Sequence, residues 1–377
     1  MAPSDGFMCG RWADRVNDVC EPGYGTDVHG LRDGVYYNTH GCSFRQLPQE
    51  LPWLAPLYSD FELRFNSIPF VCWTATNWNT ALAISAAYLA LCFGGRFLLS
   101  ALGYKPLELK GALAAWNLLL SVFSLAGFLR TMPHLLYYLL NDPHGFEHAF
   151  YASVCRPAET SFGQGANGFW TMLFIFSKVS LCGRRGAGAD ARARGRAGVE
   201  TNSQARPAHL PPLPPSPHAP QVPELVDTAF LVLRQKEVIF LHWYHHVTVL
   251  LYCWHSYMTR SSAGLYFIAM NYGVHAIMYF YFFLMARAAM LPTKPERDAA
   301  KPKWDTFVTA LQISQMVVGV VVCGAVYYFQ STSAEGCDMT ESNYRAGAAM
   351  YSSYFVLFAW FAVKKYVFPQ AKGAKDL

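Results

Sequence analysis

The sequence predicts an all-α protein that crosses a membrane several times, with about seven transmembrane helices. Of its 377 residues, 53% are hydrophobic and only 15% are charged, whereas soluble domains carry about 25% charged residues. The apolar residues also fall in long blocks, and a helix of about 20 apolar residues crosses the hydrocarbon core of a bilayer. Both observations argue against a soluble fold.

Six apolar blocks are long enough to span a membrane. In chain order they are Trp78–Leu99, Gly111–Leu129, Ile239–Tyr257, Ala263–Met285, Phe307–Phe329 and Ala346–Phe368. Two further apolar pieces, Phe169–Phe176 and Leu225–Leu233, are each too short to cross. Joined end to end, they would form one more span, the third in order, so the sequence predicts seven helices.

Residues 179–221, between the two short pieces, differ from the rest of the chain in composition. They are rich in Gly, Ala, Arg and Pro, include no aromatic residue in a chain that is 16% aromatic, and end in PPLPPSPHAPQ. Such a composition does not form a packed core. The initial Val-Ser can be encoded by a splice-donor-like sequence and the final Gln by an acceptor-like CAG, so we interpret the segment as a retained intron. A disordered loop is the alternative, although tolerated insertions fall in loops and not within membrane segments.

Basic residues alternate with span number, and in short loops they mark the cytosolic side of a membrane. They follow the first, third, fifth and last spans: Lys105, Lys110, Arg234, Lys236, Arg287, Lys294, Arg297, Lys301, Lys303, Lys364, Lys365, Lys372 and Lys375. The sequence therefore predicts a luminal N-terminal region of unknown role (1–75), a membrane domain (76–368) interrupted by 179–221, and a cytosolic basic tail (369–377). This arrangement needs an odd number of spans, which seven provides.

Two cysteines are predicted to form a disulfide. Cys155 lies in the loop after the second span and Cys337 in the loop after the sixth. The orientation places both loops in the lumen, an oxidising compartment in which disulfides persist. The other cysteines give no strong pairing signal.

The strongest functional signal is a group of histidines inside the fourth span. His242, His245 and His246 are spaced so that one helical face carries all three. Ionisable side chains within a membrane span are costly and usually face a cavity where they have a function. Imidazole can act as a base, an acid, a nucleophile or a metal ligand, and the spacing alone does not choose between these roles.

The fifth span carries further polar side chains. Asn271 and His275 are one helical turn apart and share a face, so they could meet the three histidines across an interior cavity. An alternative for Asn271 is a hydrogen bond that only holds two membrane helices together.

Charged and amide side chains also fall inside the third and sixth spans. When 179–221 is removed, one stripe of the third span carries Lys178, Glu224, Asp227 and Thr228. This stripe could hold an active-site face or form a structural salt bridge, since buried charges need partners in either case. In the sixth span, Thr309, Gln312 and Gln315 are pocket candidates or interhelical hydrogen-bonding groups.

Four motifs in this order resemble the signatures of the eukaryotic fatty acid elongases, the very-long-chain 3-oxoacyl-CoA synthases. They are K-x-x-E-x-x-D-T (interrupted after Lys178), H-x-x-H-H, N-x-x-x-H-x-x-M-Y and T-x-x-Q-x-x-Q. The resemblance covers about residues 76–368 and includes Trp116, Phe123, Ser124 and Arg130. HWYHH and MNYGVHA look like the branch that acts on saturated and monounsaturated chains. The chain departs from the pattern at Phe282, where a Tyr is common, and at the insert.

The resemblance implies a protein of the endoplasmic reticulum membrane in which six of seven helices surround an acyl-chain tunnel. It implies condensation of an acyl-CoA with malonyl-CoA to a 3-oxoacyl-CoA, CoA and CO2, without a metal or redox cofactor. The implied partners are these two substrates, membrane lipid and the reductases and dehydratase of the elongation cycle, and no nucleic acid is expected. CoA would sit at the cytosolic mouth, where Arg234 and Lys236 could bind its phosphates.

The resemblance also suggests roles for the intramembrane residues. We assign His245 and His275 to acyl transfer, and His242, His246 and Asn271 to orienting the rings or stabilising the enolate. The remaining candidates are assigned to the substrate pocket: Lys178, Glu224, Asp227, Thr228, Tyr279, Gln312 and Gln315.

Two other functions remain open from the residues alone. A membrane di-iron desaturase or hydroxylase also uses H-x-x-H-H, but it needs about eight histidines in three boxes, and here the pair His144 and His148 lies in a loop assigned to the lumen. A seven-span transporter or receptor would use intramembrane histidines for proton relay or ligand binding. Malonyl-CoA-dependent release of CO2 separates the elongase from both.

Overall fold

The computed structural model describes residues 30–32, 35–37, 43–178 and 225–368. A small antiparallel sheet precedes the helices and consists of β1 (Gly30–Arg32), β2 (Val35–Tyr37) and β3 (Ser43–Phe44) in that order. Short helices follow: α1 (Leu47–Glu50), a 3₁₀ helix (Pro52–Leu57), α2 (Asp60–Leu63) and α3 (Ile68–Thr76). The rest of the described chain is a helical bundle.

The bundle is built from ten helices within the described residues. They are α4 (Trp78–Ala101), α5 (Lys110–Leu140), α6 (Phe146–Cys155), α7 (Gly165–Ser177), α8 (Leu225–Leu233), α9 (Phe240–Met258), α10 (Gly264–Ala288), α11 (Lys294–Ala300), α12 (Asp305–Thr332) and α13 (Glu341–Ala362). A 3₁₀ turn (Ala158–Thr160) precedes α7, and a π-helical turn (Val363–Val367) extends α13.

The protein is an all-α, multi-spanning membrane protein, as the sequence predicted. In the described part, α4, α5, α10, α12 and α13 with its π-helical turn are long and apolar enough to cross a membrane. Helix α9 has 19 residues, but its histidines make it less apolar. The count of seven spans stays a prediction.

One helix end differs from the apolar block that predicted it. Helix α5 continues past Leu129 to Leu140, through Arg130 and Pro133. The apolar run stops at Arg130 because this residue is charged, but the helix does not stop there. The charge is accommodated by an ion pair with Glu62, in which Arg130 Nε lies 3.1 Å from the carboxylate.

The two ends of the bundle are chemically different. At one end, the disulfide end, a disulfide joins Cys155 of α6 to Cys337 after α12, the pair that the sequence predicted. We call the other end the basic end because the loops there carry Lys105, Lys110, Arg234 and Lys236. Two hydrogen bonds join these loops: the Leu107 amide donates to the Leu233 carbonyl (3.1 Å), and Gln235 Nε2 donates to the Tyr104 carbonyl (2.6 Å). The described chain thus starts near the disulfide end and finishes at the basic end.

Removing the disulfide is expected to lower stability, because the bond closes a long chain segment and such bonds typically stabilise by about 2–4 kcal/mol. Cys155→Ser, Cys337→Ser and the double variant should lower the thermal unfolding midpoint in detergent by similar amounts. Cys92→Ala, which alters a cysteine outside any disulfide, is the control. A non-reducing peptide map without a Cys155–Cys337 peptide would contradict the pairing.

Helices α7 and α8 together take the chain from the disulfide end to the basic end. Both lie against α10, at positions two helical turns apart. The Tyr272 hydroxyl donates to the Trp170 carbonyl of α7 (2.9 Å), and the Tyr279 hydroxyl donates to the Asp227 carboxylate of α8 (2.8 Å). This placement is the one expected of two halves of a single membrane segment.

Residues 45–76 pack onto the bundle at the disulfide end, where α7 begins. Gln46 is buried, and its side chain donates to the Leu63 carbonyl and accepts from the Ala166 amide, both at 2.9 Å. The Ser67 amide donates to Gln164 Oε1 (2.9 Å). The predicted boundary at residue 75 therefore falls inside α3, and this part of the N-terminal region belongs to the bundle.

Glu62 of α2 connects the N-terminal segment to two membrane helices. Its carboxylate accepts a hydrogen bond from Trp170 Nε1 (2.7 Å) and pairs with Arg130. Burial raises the pKa of Glu62, but the hydrogen bonds from Trp170, Ser59 and Arg130 outweigh burial and leave the pKa below its ordinary value. The residue is therefore ionised at neutral pH.

Helices α5 and α10 pack closely because α5 has a glycine where α10 presents an aromatic ring. A Cβ atom at Gly127 would lie 2.4–2.6 Å from three atoms of the Tyr272 ring. One further contact fixes the same pair of helices, since Ser121 Oγ donates to the Ala276 carbonyl (2.8 Å). This interface holds α10 in position along the site described next.

Candidate active site

Helix α9 presents its three histidines on one face. The ring centroids of His242 and His246 are 4.5 Å apart, and those of His245 and His246 are 5.6 Å apart. His246 is buried, and the other two rings are half-buried. A cluster of three imidazoles therefore lies within the bundle.

Helix α10 brings a second polar group to the same place. The Asn271 side-chain amide nitrogen lies 3.3 Å from Nε2 of His275. One turn further, the Tyr279 ring is 5.4 Å from the His275 ring. The three side chains form a polar stripe along α10.

The two polar stripes line one cavity of about 530 Å³. All five residues predicted to be catalytic are in its wall: His242, His245, His246, Asn271 and His275. The wall also contains Lys110, Asp227, Arg234, Met278, Tyr279, Phe282, Gln312, Gln315, Met316 and Phe358. The structure thus brings histidines from two helices to one shared space.

A chain of hydroxyl groups holds the His242 ring. Thr228 Oγ1 lies 2.8 Å from Nε2 of His242, and the Tyr88 hydroxyl lies 3.0 Å from Thr228 Oγ1. Thr228 is fully buried and contacts the Nε2 side of the His242 ring. These contacts fix the ring orientation, so Thr228 acts on the site through His242.

Asp227 links α8 to two other helices beside the cavity. Its carboxylate accepts hydrogen bonds from Trp116 Nε1 (2.7 Å) and from the Tyr279 hydroxyl (2.8 Å). Lys178, at the end of α7, is buried with its ammonium group 4.6 Å from the centroid of the Phe174 ring. Glu224, the remaining member of the predicted stripe, lies outside the described residues.

Helix α12 contributes two of its three candidate residues to the wall. Gln312 and Gln315 line the cavity, and Gln312 Nε2 lies 3.2 Å from the Met278 sulfur. Thr309 instead lies 3.2 Å from the Tyr366 hydroxyl and ties α12 to the turn after α13. Phe282, the departure from the motif, lies in the wall toward the basic end.

Tyr354 of α13 contacts the histidine cluster, although sequence reasoning did not identify it. Its hydroxyl donates to the His245 carbonyl (3.1 Å), and its ring is 4.8 Å from the His245 ring. The side chain is buried. Because it lies far along the chain from His245 in a helix without a polar motif, the sequence offered no signal for this contact.

Two cations are in the cavity wall at the basic end. Arg234, a predicted CoA-binding residue, lines the cavity together with Lys110, which the sequence analysis used only for orientation. Lys236, two residues after Arg234, is exposed and does not line the cavity. The cavity is therefore polar at the histidines and positively charged at one end.

Comparison with known protein families matches residues 73–181 and 219–374 to ELO, described as the GNS1/SUR4 family. The chain belongs to the ELO family. The part between the two matched ranges lies inside the predicted insert. The motifs that suggested the resemblance lie in the matched ranges, apart from their interruption by the insert.

Curated ELO relatives match most of the chain. The very long chain fatty acid elongase 6 of Gallus gallus is 33% identical over 317 residues, covering 84% of this chain and 95% of the relative. The Drosophila melanogaster protein of the same name is 33% identical and covers 84% and 82%. Fatty acid elongase 3 of Trypanosoma brucei brucei is 32% identical and covers 71% and 78%.

Proposed function

We propose that this ELO-family protein condenses long-chain saturated or monounsaturated acyl-CoA with malonyl-CoA, giving a 3-oxoacyl-CoA two carbons longer. It is a condensing enzyme of fatty acid elongation and therefore an acyltransferase. The similarity to elongase 6 proteins supports the choice of substrate branch.

The strongest support for this function is the cavity between α9 and α10. Imidazoles from α9 and α10 face each other across a cavity that carries Arg234 and Lys110 at its basic end. Acyl-CoA has a long apolar tail, a reactive thioester and a head that bears phosphates. A cavity with a charged end and a nucleophilic middle matches that order of groups.

The first half of the reaction is acyl transfer to an imidazole. We assign His245 or His275 as the ring whose nitrogen attacks the thioester carbonyl, with departure of the CoA thiolate. The tetrahedral intermediate carries negative charge on oxygen, and the Asn271 amide and the neighbouring rings can donate hydrogen bonds to it. The nucleophilic imidazole is neutral, and the proton displaced from its second nitrogen goes to the thiolate.

The second half forms the carbon–carbon bond. Malonyl-CoA loses CO2 when the bond between its carboxylate carbon and its methylene carbon breaks, and the electrons of that bond form an enolate. The enolate carbon attacks the acyl carbonyl, the bond between that carbon and the ring nitrogen breaks, and the departing ring takes up one proton from solvent, which returns it to the neutral form. We assign the His242 ring, which Thr228 holds, and His246 either to orienting the reacting rings or to donating to the enolate oxygen, a contact that a water-poor cavity would strengthen.

The function is tested by malonyl-CoA-dependent elongation of palmitoyl-CoA in microsomes that express this chain or the same chain without 179–221. Activity in the shortened form alone is expected, because the insert interrupts what would otherwise be one continuous membrane segment, and insertions are tolerated in loops rather than within such segments. Equal activity in both would make the insert a tolerated loop and contradict the intron proposal. Absence of elongation with every acyl-CoA, in both forms, would contradict the function.

Charge at the basic end is proposed to bind the CoA phosphates. Arg234→Glu should raise the KM for acyl-CoA by about tenfold or more while kcat changes little, because a charge-assisted contact made equally in the ground and transition states is lost. The increase of KM with salt concentration should also be smaller in Arg234→Glu than in the parent chain, because salt screens the contact that this variant lacks. Arg345→Glu, at an exposed position near the disulfide end, is the control and should leave KM unchanged.

We also propose that the protein resides in the endoplasmic reticulum membrane with its disulfide end in the lumen. The Cys155–Cys337 bond supports this orientation, because disulfides persist in that compartment. The 3-oxo product would then pass to a reductase, a dehydratase and a second reductase on the cytosolic side. Glycosylation of an acceptor site introduced within residues 1–29 tests the orientation.

A further inference from the structure

Large apolar side chains are exposed in a short part of the N-terminal region. We call it the 51–61 segment, and it comprises the 3₁₀ helix and the start of α2. Trp53 is 72% exposed, and Leu57 and Phe61 are each 61% exposed. Residues 51–59 contain no charged side chain. An exposed apolar patch of this kind marks a surface that contacts a membrane or another protein.

The 51–61 segment lies beside the last third of α5. Arg130 Nη2 donates to the Leu57 carbonyl (2.5 Å). Just before the segment, the Tyr138 hydroxyl donates to the Arg45 carbonyl (2.6 Å). Positions 130 and 138 are about 12 Å apart along the helix. The chain therefore runs along α5 toward the basic end, and Leu57 lies beside Arg130.

Arg130 marks one boundary of the hydrocarbon core. Helix α5 begins at Lys110, and its rise from there to Arg130 is about 30 Å, which equals the thickness of the core. The apolar run of α5 also starts and ends at these two charges. Leu129 and Leu136 are exposed on the same part of α5, where a membrane span contacts lipid. Leu57 thus lies at the edge of the core, next to a lipid-facing surface.

We propose that the 51–61 segment inserts into the membrane interface at the disulfide end and anchors the N-terminal region to the bilayer. Tryptophan and tyrosine favour the headgroup region, because their rings combine an apolar body with a polar edge. Tyr327 and Tyr328, near the disulfide end of α12, are exposed as well. Glu50 and Asp60 flank the apolar residues with negative charge. The anchor therefore relies on apolar contact and needs no anionic lipid.

Lipid fits this surface better than two other occupants, residues 1–29 of the same chain and a second copy of the protein. Residues 1–29 contain several charged side chains and no apolar block, so they would cover apolar rings poorly. A second copy would need a surface of complementary shape. Lipid needs none, and it already contacts the adjoining surface of α5.

Photocrosslinking of the full chain in phosphatidylcholine vesicles identifies the occupant. The photoreactive amino acid p-benzoylphenylalanine in place of Trp53 should give a lipid adduct, as it should in place of Val321, an exposed residue within the span of α12. In place of Glu147 it should give none, because this exposed residue of α6 follows the end of α5, about 15 Å past Arg130.

Three results of the crosslinking experiment would overturn the proposal. The first is a crosslink from position 53 to residues 1–29 in place of lipid, and the second is a crosslink to a second copy. The third is no lipid adduct at position 53 while position 321 gives one. None of these readouts depends on elongation activity, so a failure of the anchor is distinct from a failure of the proposed function.

Proteolysis gives a second readout that uses polar and apolar replacements at the same positions. Trypsin can cleave after Arg64, which is exposed at the end of α2. In vesicles whose disulfide ends face outward, Trp53→Ser/Leu57→Ser should be cleaved there about tenfold faster than the parent chain, because the segment loses its apolar contact with lipid. Trp53→Phe/Leu57→Met keeps the segment apolar and should be cleaved at the parental rate. Equal cleavage of the serine variant and the parent chain would overturn the proposal.

Discussion

His245→Ala, in the chain that lacks 179–221, is expected to lower the rate of malonyl-CoA-dependent elongation by about 10³-fold or more. The substitution removes the imidazole assigned to acyl transfer, and an acid–base or nucleophilic group typically contributes about 10²–10⁴-fold. His275→Ala should cause a loss of similar size, because its ring lies across the same cavity. Elongation and release of labelled CO2 in microsomes give both rates.

His148→Asn is the control for these variants. This histidine lies at the disulfide end, paired with Asp142 at 3.0 Å, and should leave the rate within about twofold, since surface ion pairs contribute little. The acyl-enzyme gives a second readout: incubation with acyl-CoA alone should acylate the parent chain, and one of the two variants should lose the adduct. A His245→Ala and a His275→Ala chain that both elongate at the parental rate would contradict the assignment.

Gly127→Leu should prevent stable folding of the bundle. Its Cβ alone would lie 2.4–2.6 Å from three atoms of the Tyr272 ring, and the remaining atoms of leucine need still more room. Tyr272 is buried and its hydroxyl donates to α7, so the ring cannot move aside without loss of other contacts. Overpacking of this kind costs about 1–3 kcal/mol or more. Thermal unfolding in detergent, followed by size-exclusion chromatography, measures the effect.

Gly94→Leu is the matched control on α4. A Cβ at this position meets nothing within 4 Å, so leucine adds an apolar side chain in open space and should leave the unfolding midpoint nearly unchanged. Equal midpoints for the two leucine variants would contradict the close packing of α5 on α10. Tyr272→Phe/Gly127→Leu should not restore stability, because the ring atoms in conflict remain.

Most helices could be predicted because a membrane span is visible in the sequence as a long run of apolar residues. Each of the six long apolar blocks overlaps one helix, with ends that differ by a few residues except at α5. That helix runs on because Arg130 finds Glu62, a partner distant in sequence. A hydropathy profile registers the cost of placing the Arg130 charge in the membrane, but it does not show that Glu62 pairs with this charge.

The candidate site could be predicted to the level of helical faces. The spacing of His242, His245 and His246 fixes a common face on α9, and that of Asn271 and His275 fixes one on α10. Their meeting across one cavity depends on how the two helices pack. Tyr354 and Lys110 were missed for the same reason, because each joins the site only through helices that are distant in sequence.

By itself, the sequence determined that this chain is an all-helical membrane protein, placed its histidines on defined helical faces and carried the ELO motifs. These properties follow from local periodicity and from the cost of polar groups in lipid. Only the tertiary structure decided which faces share a cavity and that Thr228 holds His242. Such contacts join residues from different helices, and their geometry is set by packing at glycines such as Gly127 rather than by sequence spacing.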